Sequence, residues 1–272
     1  MELPFENPRL EWEGVLDAVF FAGKAILEVY GEDFAVEMKG ENDPLTQADL
    51  QSNEILKKVL LQSAYVLSEE DKDDLVRLDF EKVWIIDPLD GTKEFIDRNG
   101  EFAIMIGLVV SGLPVIGIVY QPTADLLYVA QKGEGVFERI TSGWKRLKGS
   151  NHSVLSDFRA VVSRSHLSGK SLDFLKYLGV ENYTQKGSAG VKAGEICRGN
   201  AEFYFNPSDK LKQWDTCALY CMLAEIGGRV TDMLGNELEY NVAEVNHLKG
   251  ILVSNGRAHE EIVRRWGEFN QS

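Results

Sequence analysis

The chain has 272 residues, of which 44% are apolar and 26% charged, and its net charge is −14. That length allows one large α/β domain or two ordinary ones around a well-buried core. The acidic balance argues against nucleic-acid polymers and anionic membrane surfaces as partners, while a small anionic substrate stays compatible if a cationic centre lies in the site.

No apolar run approaches the roughly 18 residues of a membrane span. The start, MELPFENPRLEWEG, has neither a basic region nor an apolar signal core. The 3 cysteines, Cys197, Cys217 and Cys221, match no zinc spacing, so reduced thiols in a cytoplasmic protein are expected.

In chain order, Leu10 to Tyr30 reads as an amphipathic helix ended by Gly31. Thr46 is an N-cap candidate for a second helix running to Ser63, with Asp49 three residues on. Tyr65 to Leu67 and Val83 to Ile86 are short apolar runs, each ending in acids: Glu69 and Glu70 after the first, Asp87 after the second. AIMIGLVV, VIGIVYQ and LLYVA, between Ala103 and Ala130, are separated by turn residues and predict hairpins in an antiparallel sheet. After about residue 150 strands and helices alternate: RAVVS, then helices in LSGKSLDFLKYLG and AGVKAGEICRGN, the strand AEFYFN, a helix over QWDTCALYCMLAEIGG, the strand GILVSN and a last helix over RAHEEIVRRWGEF. The polar stretch from Lys148 to Asp157 marks the expected domain boundary, dividing residues 1–150 from 151–272.

Six acids sit at element ends: Asp49, Glu69, Glu70, Asp87, Asp90 and Asp215. Asp87 and Asp90, on one turn stiffened by Pro88, can face a common space. Two carboxylates abutting a buried strand repel unless a cation or proton lies between them. Convergence with Glu69 and Asp215 would form a two-metal clamp for phosphoryl transfer to water, with all-oxygen ligands suited to Mg2+. If a helix begins at Gly91 and Thr92, its N–H groups face the place of a phosphate, and the Thr92 hydroxyl can orient a water for Asp49. Plainer roles stand beside these. Asp49 can simply close a capping box with Thr46, Asp215 can be a helix-start charge, and Glu69, Glu70 and Asp71 can form a solvated acidic loop.

Four motifs, DPLTQAD (Asp43 to Asp49), SEE (Ser68 to Glu70), DPLDGTKEF (Asp87 to Phe95) and WDTCA (Trp214 to Ala218), resemble those of the lithium-sensitive, magnesium-dependent inositol monophosphatase superfamily. Haloacid-dehalogenase phosphatases space their two aspartates one residue closer. Lys93 and Glu94 after DGT, the SRSH element from Ser163 to His166, the segment from Gly187 to Lys192, and Lys212 before WDT are similar to the 3'(2'),5'-bisphosphate nucleotidase, or CysQ-type, branch.

The resemblance implies a layered αβαβα sandwich: an N-terminal α/β domain with a largely antiparallel sheet and most metal ligands, and a C-terminal α/β domain with a mixed sheet, the nucleotide contacts and Asp215. It implies Glu69, Asp87, Asp90, Asp215 and the Leu89 carbonyl as ligands of two or three Mg2+, and Asp49 and Thr92 as activators of water. Gly91, Thr92, Arg164, His166, Ser188 and Lys192 would bind substrate, with Ser188 standing where some relatives have glycine. The implied reaction is hydrolysis of the 3'-phosphate of adenosine 3',5'-bisphosphate without a phosphoenzyme, a step of sulfur metabolism, by a monomer or homodimer. An inositol or sugar-phosphate phosphatase on the same scaffold is the alternative. Cys217 and Cys221, at i and i+4 of one helix, are expected to pack inside, as are Phe203, Tyr204 and Phe205.

Overall fold

The computed structural model describes residues 2–40, 43–165 and 167–271. Its elements in chain order are α1 (Val15–Tyr30), β1 (Val36–Gly40), β2 (Asp43–Thr46), α2 (Gln47–Leu60), β3 (Tyr65–Ser68), β4 (Lys82–Asp90), α3 (Thr92–Ile96), β5 (Ala103–Val110), β6 (Leu113–Gln121), β7 (Leu126–Gln131), β8 (Gly135–Ile140) and β9 (Gly143–Arg146). They continue with β10 (Arg159–Ser163), α4 (Gly169–Leu178), β11 (Asn182–Lys186), α5 (Ala189–Arg198), β12 (Phe203–Asn206), α6 (Gln213–Ala224), β13 (Arg229–Thr231), β14 (Ile251–Ser254) and α7 (His259–Phe269).

The expected first helix is two pieces. Gly14 has φ +72°, so the chain breaks there into a 3-10 turn over Leu10–Trp12 and α1 proper. β3 to β9 form a 7-stranded sheet in sequence order, antiparallel except for the parallel pair β3 and β4. The second sheet has 5 strands in the order β11-β10-β12-β14-β13 and is mixed. The sequence reading did not anticipate β1, β2, β8, β9, β11 or β13. Several of these are short or polar, and β11 (NYTQK) carries no apolar alternation.

Three apolar layers hold the sheets and helices together. α1 and α2 pack on one face of the large sheet through Val19, Ala22, Ile26, Leu56, Trp84 and Ile118. α5 and α6 fill the space between the sheets with Val191, Ile196, Leu219 and Met222 against Met105, Val119 and Val253. α4 and α7 cover the far face of the small sheet, where Phe174, Phe203, Phe205 and Trp266 meet. The layers therefore run α-β-α-β-α, as expected. Cys217, Cys221, Phe203, Tyr204 and Phe205 are all buried, also as expected.

α6 lies very close to the large sheet. A Cβ on Gly107 of β5 would stand 2.3 Å from Cys217 Sγ, and one on Gly117 of β6 would stand 2.4 Å from the Ala218 carbonyl oxygen. These two glycines let the start of α6, and Asp215 with it, reach the end of β4. Among the described residues no helix is long and apolar enough to cross a membrane.

Candidate active site

Asp87 and Asp90 are an odd number of residues apart, so a regular strand would point them to opposite faces. They do not sit on a turn after the strand, as the sequence suggested, but inside β4, at an irregularity. Asp87 pairs with Met105 and Asp90 with Ala103, so three steps on β4 match two on β5. The extra residue is a β-bulge, and it brings both carboxylates to the same face. That face belongs to the layer between the sheets, where Ala103 and Met105 lie. Leu89 turns the other way into the core beneath α1 and α2.

Two further acids arrive from neighbouring elements. β3 runs parallel to β4 with Ser68 opposite Ile86, and Glu69 N donates to the Ile86 carbonyl at 3.2 Å, which sets Glu69 beside Asp87. Asp215, in the first turn of α6, accepts from Lys212 N on Oδ2 at 2.6 Å. One ligand atom from each of Glu69, Asp87 and Asp215 lies within 4.8 Å of the others. Burial pushes the Asp87 and Asp215 carboxyls well above the usual carboxylate range, and the neighbouring acids push them further. Asp90 is raised too, chiefly by burial, although Lys192 and its own hydrogen bonds oppose this.

The three aspartates share a pattern: each spends one oxygen on a protein donor, near in sequence for Asp87 and Asp215 and from the start of α5 for Asp90. Asp87 Oδ1 accepts from Leu89 N at 2.9 Å, Asp215 Oδ2 from Lys212 N, and Asp90 Oδ2 from Gly190 N at 3.0 Å and from the Ser188 hydroxyl. Such bonds fix the carboxylate plane and aim its other oxygen.

Beside this cluster stand Asp49 and Thr92. Asp49 closes the capping box of α2, with Thr46 N and Thr46 Oγ1 donating to Oδ2 at 2.8 and 2.6 Å. Its other oxygen accepts from Thr92 Oγ1 at 3.2 Å, so the capping box and the contact to Thr92 coexist. Gly91 caps the five-residue α3 with φ +95°. Thr92 Oγ1 also lies 3.4 Å from the Leu89 carbonyl oxygen.

Sequence reasoning missed the polar face of α2. Ser52 Oγ donates to the Pro88 carbonyl at 2.8 Å, inside the bulge, and Ser68 Oγ donates to Asn53 Oδ1 at 2.8 Å. One helix face thus braces both acidic strand ends. Their signal was present: serine and asparagine at positions of α2 that face the core.

On the other side, Ser188 caps α5 and donates to Asp90, while Lys192 is buried, with Nζ bonded to the Gly187 carbonyl and 4.9 Å from the Tyr204 ring. Burial brings the Lys192 ammonium down to about 8, against the pull of Asp90 and other acids. Arg164 is engaged by Glu101, with Nε and Nη2 donating at 2.9 and 3.0 Å. Glu94 is buried and accepts from the Ser165 hydroxyl. His166 lies outside the described residues.

The site is therefore an oxygen-only acidic cluster facing a buried lysine, between two sheets. Relatives share the fold. The 3'(2'),5'-bisphosphate nucleotidase CysQ of Escherichia coli K12 is 35% identical over 235 residues, covering 82% of this chain and 91% of that protein. The structure of CysQ from Bacteroides thetaiotaomicron, a bacterial member of the inositol monophosphatase family, is 31% identical with a TM-score of 0.76, covering 89% of this chain and 96% of the other. The extragenic suppressor protein suhB from Bartonella henselae is 28% identical with a TM-score of 0.79, over 92% of this chain and 96% of that one. The inositol monophosphatase family model matches residues 13–269, and the chain belongs to that family.

Proposed function

We propose that the chain is a magnesium-dependent phosphatase of the bisphosphate nucleotidase type, which removes the 3'-phosphate of adenosine 3',5'-bisphosphate. The observation that carries this is the convergence of Glu69, Asp87 and Asp215 within 4.8 Å, with Asp90 beside them and the Thr92–Asp49 pair adjacent. The donor set fits Mg2+: every ligand is a hard oxygen, and buried carboxylates crowded together are relieved by a cation or by protons. Glu69, Asp87, Asp90, Asp215 and the Leu89 carbonyl would hold the ions, which supply Lewis-acid polarisation of the phosphate and a lowered water pKa.

The chain's own residues do the rest. Thr92 Oγ1 has one hydrogen, directed to Asp49, so its lone pairs accept a hydrogen from the attacking water. As the water oxygen bonds to phosphorus and the bond to the 3'-oxygen breaks, one water proton passes to Thr92 while the Thr92 proton passes to Asp49, and the departing 3'-oxygen takes its proton from solvent water. Thr46 holds Asp49 in place for this. Ser188 and Lys192, next to Asp90, face the substrate. In this reading residues 1–150 and 151–272 are two domains with the site between them.

The similarity to CysQ relatives supports the nucleotidase type over an inositol phosphatase. A phosphate-release panel with magnesium tests it, across adenosine 3',5'-bisphosphate, AMP, inositol 1-phosphate and fructose 1,6-bisphosphate. The bisphosphate nucleotide is expected to turn over fastest, and chelation should stop turnover. Preference for inositol 1-phosphate would overturn the substrate, and turnover in excess chelator would overturn the metal.

A further inference from the structure

Three cations gather around one peptide, the link from Lys186 to Gly187 at the end of β11. Lys186 carries its own ammonium, and Arg164 pairs its backbone N–H with the Lys186 carbonyl at 2.9 Å while its guanidinium Nη2 lies 3.2 Å from the neighbouring Gln185 carbonyl. Lys192 Nζ bonds the Gly187 carbonyl and lies 3.5 Å from that of Lys186. Like charges brought together repel, and long basic side chains left alone would spread into solvent. Here Glu101, in the loop that leads into β5, reaches across to hold them. Its carboxylate accepts from Arg164 Nε at 2.9 Å and Nη2 at 3.0 Å, from Lys186 Nζ at 3.3 Å and from Gly187 N at 2.9 Å. Its backbone carbonyl accepts from Ser188 N at 3.0 Å.

Glu101 is itself held rigidly. Its N–H donates to Asn99 Oδ1 at 2.9 Å, and the preceding Gly100 has φ +78°. The Gly100 carbonyl accepts from Gln121 Nε2 at 2.8 Å and Thr123 Oγ1 at 2.6 Å. The close approach requires glycine at position 187: a Cβ there would lie 2.7 Å from the Glu101 carbonyl oxygen and 2.3 Å from Glu94 Cγ.

The bidentate grip leaves donors over. Glu101 and the Gln185 carbonyl take Arg164 Nε and Nη2, and Nη1 carries two further N–H groups. Lys186 offers three N–H donors in all. We propose that Glu101 is a positioning residue for substrate selection: it holds Arg164 and Lys186 as a pre-formed pair for the substrate's second phosphate, the one that is not cleaved. This rests on the proposed reading of the substrate as a nucleotide with two phosphates. Lys186, which sequence reasoning did not single out, becomes a phosphate contact alongside Arg164.

Steady-state kinetics of Glu101→Ala and Glu101→Gln with magnesium, on adenosine 3',5'-bisphosphate and on 3'-AMP, test this. Both substrates offer the same scissile 3'-phosphate, and only the first has a second one. For Glu101→Ala the ratio of kcat/KM, bisphosphate over 3'-AMP, is expected to fall about tenfold, through a higher KM for the bisphosphate. Glu101→Gln keeps the shape and one carbonyl acceptor, so a fall of about threefold is expected and carries the test if the alanine variant does not fold. An equal loss on both substrates, or an unchanged ratio, overturns the inference while leaving the nucleotidase reading intact. Wild-type protein that treats the two nucleotides alike overturns the bisphosphate reading, and the inference falls with it.

Discussion

At the acidic end of the site, a bulge and a helix start carry Asp87, Asp90 and Asp215 into the layer between the sheets, where burial acts against their charge. At the cationic end, Arg164 and Lys186 stand at strand ends with Glu101 already between them. The first end gathers like charges; the second already holds a carboxylate between its two cations. The difference shows in the carboxyls themselves. Asp87 and Asp215 are pushed up, first by burial and then by other acids. Glu101 is pulled down, because Arg164 and Lys186 outweigh its own burial. An acidic cluster that a cation could complete and a basic pair that a carboxylate pre-arranges would suit one ligand, an anion spanning from metal ions at one edge to the basic pair at the other.

The largest expected effect tests whether the acidic end is built for a cation at the cost of stability. Asp215→Asn should lower magnesium-dependent turnover on the order of 10³-fold, since several kcal/mol of charge stabilisation at phosphorus would go. The same variant should melt at a higher temperature than wild type in chelator, because one member of a repelling cluster is neutral. Normal turnover would remove Asp215 from the metal site. A lower melting temperature in chelator would show that the cluster is not strained, and the contrast between the two ends would fail.

A middle-sized effect follows from the opposite shifts. A carboxyl raised in the folded state contributes stability below its unfolded pKa, and that contribution is lost as pH rises through the folded value. Metal-free protein should therefore lose stability through Asp87 and Asp215 as pH rises. Glu101, whose folded value is lowered, contributes above its unfolded pKa and loses that contribution as pH falls through the folded one. Magnesium would compete with protons for the raised ligand carboxyls Asp87, Asp90 and Asp215 and not for Glu101, so the rise in melting temperature on adding magnesium should grow from pH 5 to pH 8. A magnesium shift independent of pH would mean that the ions bind elsewhere.

The two ends also differ in how far the sequence revealed them. The acids at element ends were legible because a carboxylate after an apolar run is conspicuous, and the layered fold followed from the motifs' family resemblance. What placed Asp87 and Asp90 on one face was not legible as such. The sequence suggested a turn, while the structure continues β4 through a bulge, and both agree with a proline followed by Leu89. Arg164 and Lys192 came from the resemblance, but Glu101 and Lys186 did not, because a lone glutamate after Gly100 gives no sign that it will meet a strand end 85 residues later. Long-range ion pairs have no local pattern, whereas strand-end acids do.

Ser52→Ala should give the smallest effect, and it asks what holds the acidic end in shape. Ser52 is fully buried, and its hydroxyl donates to the Pro88 carbonyl at the middle of the bulge. Losing that bond should cost about 1 kcal/mol of stability, a fall in melting temperature of roughly 2–4 °C for a chain of this size. If α2 braces the bulge, the substitution also lets Asp87 turn, and the magnesium concentration for half-maximal activity should rise several-fold with little change in maximal rate. If the β4–β5 ladder alone fixes the bulge, stability falls by the same amount and the magnesium requirement stays put. A positioned cation site depends on its brace in a way that a merely stable fold does not, and magnesium titration of this one variant separates the two.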